Sequence, residues 1–177
     1  MDVSEMWVFG YGSLVWNPEF PVAERAVAHL AGFRRSFCMR SIHHRGSVDD
    51  PGLVLALDPA DGHSCKGLGL RVEAGHEDAT LQALRARELI SSAYLERLVD
   101  LSLEDGRQVR ALAYVIDPAH EQYCHLDLEE QAQVIAQAVG GRGPNHEYLS
   151  KTAAHLNELG IGDSDLDWLC QRVAALR

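Results

Sequence analysis

Two features of this chain combine residue types and spacing that chemistry can use: the run Gly10-Tyr11-Gly12-Ser13-Leu14-Val15 and the carboxylate of Glu88. Two glycines around one residue let the backbone turn sharply and present consecutive N–H groups. Such groups hold a carboxylate or a developing oxyanion. The same spacing also fits a plain turn. It is not a dinucleotide fingerprint, because Val15 stands where the third glycine belongs, and no Gly-Lys-Ser/Thr follows to make a P-loop. A serine-hydrolase elbow is excluded too, since Val15 occupies the glycine position two residues beyond Ser13.

On a helical projection Glu88 lies between Leu84 and Leu89, inside the arc that also holds Leu81. A carboxylate there points toward a core or a cleft. Burial raises its pKa and equips it as a base near neutral pH. The alternatives are an ion pair with Arg85 or Arg87, or simple exposure on a misjudged face.

The nine histidines show no i, i+4 pair with an intervening Glu and no Cys/His ligand spacing, so no metal is expected. His43 and His44 are adjacent and would face opposite ways on a strand. Cys38 beside Phe37 reads as a small buried side chain. Arg34, Arg35, Arg40 and Arg45 form the one basic cluster. They either grip carboxylates bidentately or balance acids on a solvated edge. The formal net charge is −10, which argues against nucleic acid or an anionic membrane as partner.

The elements that must position these groups are readable. Trp7-Val8-Phe9 is a short buried strand running into the glycine turn. Further extended segments are expected at 26–38, interrupted at Gly32, at 53–57, closed by Asp58-Pro59, and at 67–72. Segments 95–103 and 109–116 flank Glu104-Asp105-Gly106, a hairpin signal. A helix is expected from His76 to about Ser91. Another runs over 128–139 with Asp127 as N-cap, a third to Leu159 with Asn145 as N-cap, and a last one is capped by Asp163 or Ser164. The order predicts an α+β chain with a mixed or antiparallel sheet, either open or closed into a barrel. A length of 177 residues fits a single domain, 1–177. The four separated cysteines suit reduced thiols in a cytoplasmic protein. Met1-Asp2-Val3-Ser4-Glu5 does not look like a signal peptide, and no apolar run is long enough for a membrane span.

The opening Trp7-Val8-Phe9-Gly10-Tyr11-Gly12-Ser13-Leu14-Val15-Trp16, with Pro18, resembles the ChaC family of γ-glutamylcyclotransferases. Phe33-Arg34-Arg35-Ser36-Phe37-Cys38, His44-Arg45-Gly46-Ser47, Pro51-Gly52-Leu53 and Arg87-Glu88 follow in the family's order. So do Tyr94, 111–115, Asn145-His146-Glu147-Tyr148-Leu149 and Leu159-Gly160-Ile161-Gly162-Asp163. The chain departs from the family after the helix. Ser92-Ala93-Tyr94 stands where Gly-Tyr is expected, and Leu95 where a proline is common.

The resemblance implies a small mixed β-barrel with surrounding helices and a helical C-terminal part. It implies cleavage of glutathione to 5-oxoproline and cysteinylglycine without a cofactor. By motif match, Gly10, Tyr11, Gly12, Ser13, Leu14 and Val15 form the substrate loop and Glu88 is the catalytic acid/base. Tyr148 either hydrogen-bonds substrate or anchors the C-terminal helices, and Arg40 is a candidate for the glycine carboxylate of glutathione. Two other readings stay open: a cyclotransferase of other γ-glutamyl compounds, and a non-catalytic small-molecule binding module.

Overall fold

In the computed structural model Trp7, Val8, Phe9 and Gly10 are all buried, as a strand enclosed on both faces must be, and they form β1 (Trp7–Gly10). The structure describes residues 5–89 and 92–177. The expected absence of a leader at Met1–Ser4 and the far end of the expected helix at Ile90 and Ser91 lie outside those residues.

The remaining strands are β2 (Val22–Ser41), β3 (Gly52–Val72), β4 (Tyr94–Leu103) and β5 (Gln108–Ile116). They close into a barrel in the order β1-β3-β2-β4-β5. The pair β1–β3 is antiparallel, with Trp7 opposite Arg71 and Gly10 opposite Leu68, and β1–β5 is parallel, with Trp7 opposite Ala111. That parallel pair makes the barrel mixed. The expected α+β chain with a small mixed barrel and a helical C-terminal part is what forms.

Two segments expected as separate strands, 53–57 and 67–72, belong to the single strand β3. Asp58-Pro59 does not end it, because Pro59 is exposed, where a missing N–H is tolerated. Gly62, with φ +79°, lies within the strand. The second extended region likewise runs from Val22 to Ser41, through Gly32. The expected hairpin β4–β5 forms, with a register from Tyr94 opposite Ile116 to Ser102 opposite Gln108.

The chain packs as two units. The first comprises the described residues of Met1–Arg35 and Leu57–His120. Its core holds Trp7 and Phe9, Leu101 and Leu103, and Ala111, Ala113 and Val115. In each set the residues are spaced by two, so one face of every strand fills the barrel. Helix α1 (Glu77–Glu88) also belongs here and buries Thr80 and Leu84.

The second unit comprises Ser36–Ala56 and Glu121–Arg177. It holds α2 (Leu128–Gln137), the short pair β6 (Val139–Gly140) and β7 (Gly143–Pro144), α3 (Asn145–Glu158) and α4 (Ser164–Leu176). Asp127 caps α2 in a reciprocal box with Glu130, and Asp163 caps α4 through the N–H groups of Asp165 and Leu166. Helix α2 ends at Gln137, short of the expected Val139. Gly140 is needed as backbone: a Cβ there would overlap the amide nitrogen of Gly46.

Asn145 is not an N-cap. Pro144 takes that place and Asn145 is the first helical residue. Its carboxamide instead accepts from Leu53 N at 2.8 Å and donates to Leu53 O at 2.8 Å. A fully buried amide needs both bonds, and Leu53 supplies both.

Candidate active site

Glycine punctuation at the end of β1 determines the first half of the site. After Gly10 the chain enters a single 3-10 turn, Ser13–Val15, closed by Val15 N donating to Gly12 O at 3.0 Å and Asn17 N to Ser13 O at 2.8 Å. Leu14 and Val15 turn inward and are buried. The backbone N–H groups of Gly12, Ser13 and Leu14 donate to no group among the described residues. The loop is thus a turn that also leaves three N–H groups without an acceptor among the described residues.

Arg35 holds this loop from behind. Arg35 is buried, only 7% exposed as a residue. Nε donates to Tyr11 O at 2.7 Å and Nη2 to Lys66 O at 2.6 Å. In a trans peptide the N–H points opposite to the C=O, so fixing Tyr11 O also fixes the direction of the Gly12 N–H. The sequence reading placed Arg35 in a basic cluster for carboxylates or solvent. Its signal was there in the alternation Phe33-Arg35-Phe37, which turns Arg35 to the same face as two aromatic rings.

Glu88 is the last residue of α1 and its side chain is 17% exposed. Burial pushes its carboxyl above the usual carboxylate range, Arg87 pulls it back down, and Glu19 pushes it up again. Glu88 is therefore turned away from solvent and also ion-paired, with Arg87 Nε 3.5 Å from its Oε1; the exposed-face reading is not what forms.

Arginine clamps fasten this helix end. Arg85 meets Glu96 of β4 in a two-pronged pair, both contacts at 2.9 Å, and Glu96 accepts from Tyr114 of β5 at 3.0 Å. Glu96 lies low because of Arg85, while burial and then Glu96 push the Tyr114 phenol up. Arg87 reaches the loop: Nη2 donates to Ser13 Oγ at 2.7 Å and Nη1 to Asn17 O at 3.1 Å. Glu88 and the Gly10–Val15 loop are so brought together, through Arg87.

Past the helix, Ser92 has φ +55°, a left-handed conformation that favours glycine. Ser92→Gly should therefore stabilise the protein by about 1 kcal/mol, read as a raised midpoint in denaturant unfolding. An unchanged or lowered midpoint counts against that strain.

Arg40 and Tyr148 lie in the second unit. Arg40 exchanges backbone and side-chain hydrogen bonds with Gln122 through its main chain, and its guanidinium pairs with no acid among the described residues. The Tyr148 hydroxyl accepts from Leu55 N at 3.2 Å, and its ring meets Phe37 edge-on at 6.0 Å. Arg45 stands over the same ring at 5.8 Å. Tyr148 thus ties α3 to Leu55, Phe37 and Arg45. Among the described residues, no group of three or more His, Cys, Asp and Glu side chains is placed to hold a metal ion. No helix among them is long and apolar enough to cross a membrane.

The sequence model of the family described as ChaC-like protein matches residues 6–176. A glutathione-specific γ-glutamylcyclotransferase of Escherichia coli (strain K12) is 37% identical over 177 residues, covering 99% of this chain and 75% of that protein. Glutathione-specific γ-glutamylcyclotransferase 1 of Danio rerio is 35% identical over 153 residues, 85% of this chain and 78% of its own. The crystal structure of a yeast γ-glutamyl cyclotransferase specific to glutathione superposes with a TM-score of 0.85 at 25% identity, covering 98% of this chain and 100% of that one.

Proposed function

The chain belongs to the ChaC-like family, and on that footing we propose that it is a glutathione-specific γ-glutamylcyclotransferase. The reaction splits glutathione into 5-oxoproline and cysteinylglycine. The substrate's α-amine attacks its own γ-carbonyl, a lactam C–N bond forms, and the amide bond to cysteine breaks. No water is consumed and no electrons change hands. Because the nucleophile is tethered, proximity supplies much of the acceleration.

The protein's part is to move protons and hold charge. In this reading Glu88 takes a proton from the ammonium and later returns it to the leaving amine of cysteinylglycine. The Gly12, Ser13 and Leu14 N–H groups, in the Gly10–Val15 loop, hold the glutamyl end and the tetrahedral oxyanion. The observation that carries the reading is one mostly buried carboxylate, raised by burial and tied through Arg87 to a loop of unused backbone donors. The reading treats 1–177 as one catalytic domain. It places the enzyme in the cytoplasm, supported by the free thiols Cys38, Cys65, Cys124 and Cys170.

Release of 5-oxoproline from glutathione and from γ-glutamyl-alanine tests this directly. Glutathione should be turned over at least about tenfold more efficiently, the discrimination that one or two well-made polar contacts provide. Equal rates would replace glutathione specificity by action on γ-glutamyl compounds generally. No release from either would leave a binding module.

A further inference from the structure

Arg87 makes more contacts in this region than a surface ion pair needs. One guanidinium donates to Ser13 Oγ at 2.7 Å and to Asn17 O at 3.1 Å. It also pairs with Glu19 at 3.3 Å and with Glu88 at 3.5 Å. These partners span both ends of the loop segment and the end of α1. Glu19 is itself held at φ +63°, a conformation costly for glutamate, and Asn17 Nδ2 donates to its Oε1 at 3.4 Å. Strain of that kind persists where surrounding contacts over-determine it.

Resting on the reading of Glu88 as acid/base and of Gly10–Val15 as the glutamyl loop, we propose that Arg87 is a positioning residue that fastens the loop to the Glu88 carboxylate. The proton-moving group and the donors that hold the substrate then keep one fixed spacing. Only arginine can do this, because its planar fork serves the hydroxyl and the carbonyl while its Nε faces the carboxylate. A lysine in its place supplies charge to a single partner.

The charged and titratable groups acting on Glu88 are Arg87 on its own helix, Glu19 beyond the loop, and Tyr114 of β5, whose phenol is tied to Glu96 and through it to Arg85. Arg87 is the cation that opposes the burial of Glu88. Removing it therefore has two separable effects: the Glu88 carboxyl titrates at higher pH, and the loop loses its tether.

The test compares wild type with R87Q, R87K and S13A. The Glu88 carboxyl is followed by carbon NMR on labelled protein, and kcat and KM are measured for glutathione across pH. In R87Q the carboxyl and the acid limb of kcat/KM should both move to higher pH, and KM should rise about tenfold with the lost charge-assisted bonds. R87K should keep the carboxyl near its wild-type titration yet still raise KM. S13A removes only the loop's acceptor and should raise KM with the titration unmoved; it carries the test if R87Q does not fold. A folded R87Q with wild-type titration and wild-type KM overturns the proposal, as does S13A with wild-type KM. A wild-type enzyme that releases no 5-oxoproline defeats the functional reading instead, and the NMR titration still decides whether Arg87 governs Glu88.

Discussion

Glu88→Gln should cut 5-oxoproline release from glutathione by at least about 10³-fold while leaving a folded protein no less stable than wild type. The two side chains match in shape, and only one can accept a proton. Stability follows from the direction of the pKa shift. Burial raises the Glu88 carboxyl above its unfolded value. The folded state therefore prefers the protonated group, an advantage fully present below the unfolded carboxyl pKa of about 4.3 and lost as pH rises through the raised value. At neutral pH the wild type carries an ionised, mostly buried carboxylate, and the amide does not. Denaturant midpoints for the two proteins should converge in acid and separate, in favour of the variant, toward neutrality. Arg87 is not stranded by the change, because Ser13, Asn17 and Glu19 still hold it. In the proposed mechanism the same shift should set the wild-type rate: activity should fall as pH drops through the raised pKa, since the proposed base must start ionised. A Glu88→Gln protein with more than a tenth of wild-type turnover would remove Glu88 from the proton path.

Gly67→Ala should destabilise the protein by about 3 kcal/mol or more, the upper range for overpacking a well-filled core. The cause is close approach between backbones. A Cβ on Gly67 would overlap the carbonyl oxygen of Gly10 and come within 2.8 Å of Phe9 Cζ. A carbonyl in β1 cannot swing aside as a flexible side chain does, so the strand must shift. Gly10 O is also the last rigid point before the loop, so glutathione KM should rise together with the fall in stability. Chemical unfolding and steady-state kinetics on one preparation read both. Gly12 offers the contrast: a Cβ there meets nothing within 4 Å. Gly12→Ala should lose far less stability than Gly67→Ala, and equal losses would mean that the clash is relieved elsewhere.

Local chemistry made much of this legible from the sequence. A β-rich run halted by glycines announces β1 and its loop, Asp105-Gly106 announces the hairpin, and Asp127 announces α2. Glu88 was visible because Leu84 lies one helical turn behind it. What the sequence concealed depends on distant partners. The parallel pairing of β1 with β5 joins residues about a hundred positions apart, and no local pattern encodes it. Pro59 looked like a strand end because a proline's tolerance depends on which way its missing N–H would face. Asn145 looked like a cap because a short polar residue before a helix usually is one, yet its partner is Leu53. Arg35 and Arg87 were charges in a string until the fold showed what each holds.

The position of Glu88 at the very end of α1 carries one more consequence. A helix finishes in carbonyl groups that lack N–H partners, equivalent to about half a negative charge. Arg85 and Arg87 in the last turn answer part of that field, and a carboxylate adds to it. In the proposed reaction the substrate's α-amine arrives as an ammonium ion. It is the one group that satisfies both the helix end and Glu88 at once. Recognition of the free amine is then an electrostatic gate that comes before any bond is made, and a glutathione acylated at nitrogen is turned away by losing a charge as much as by losing a nucleophile.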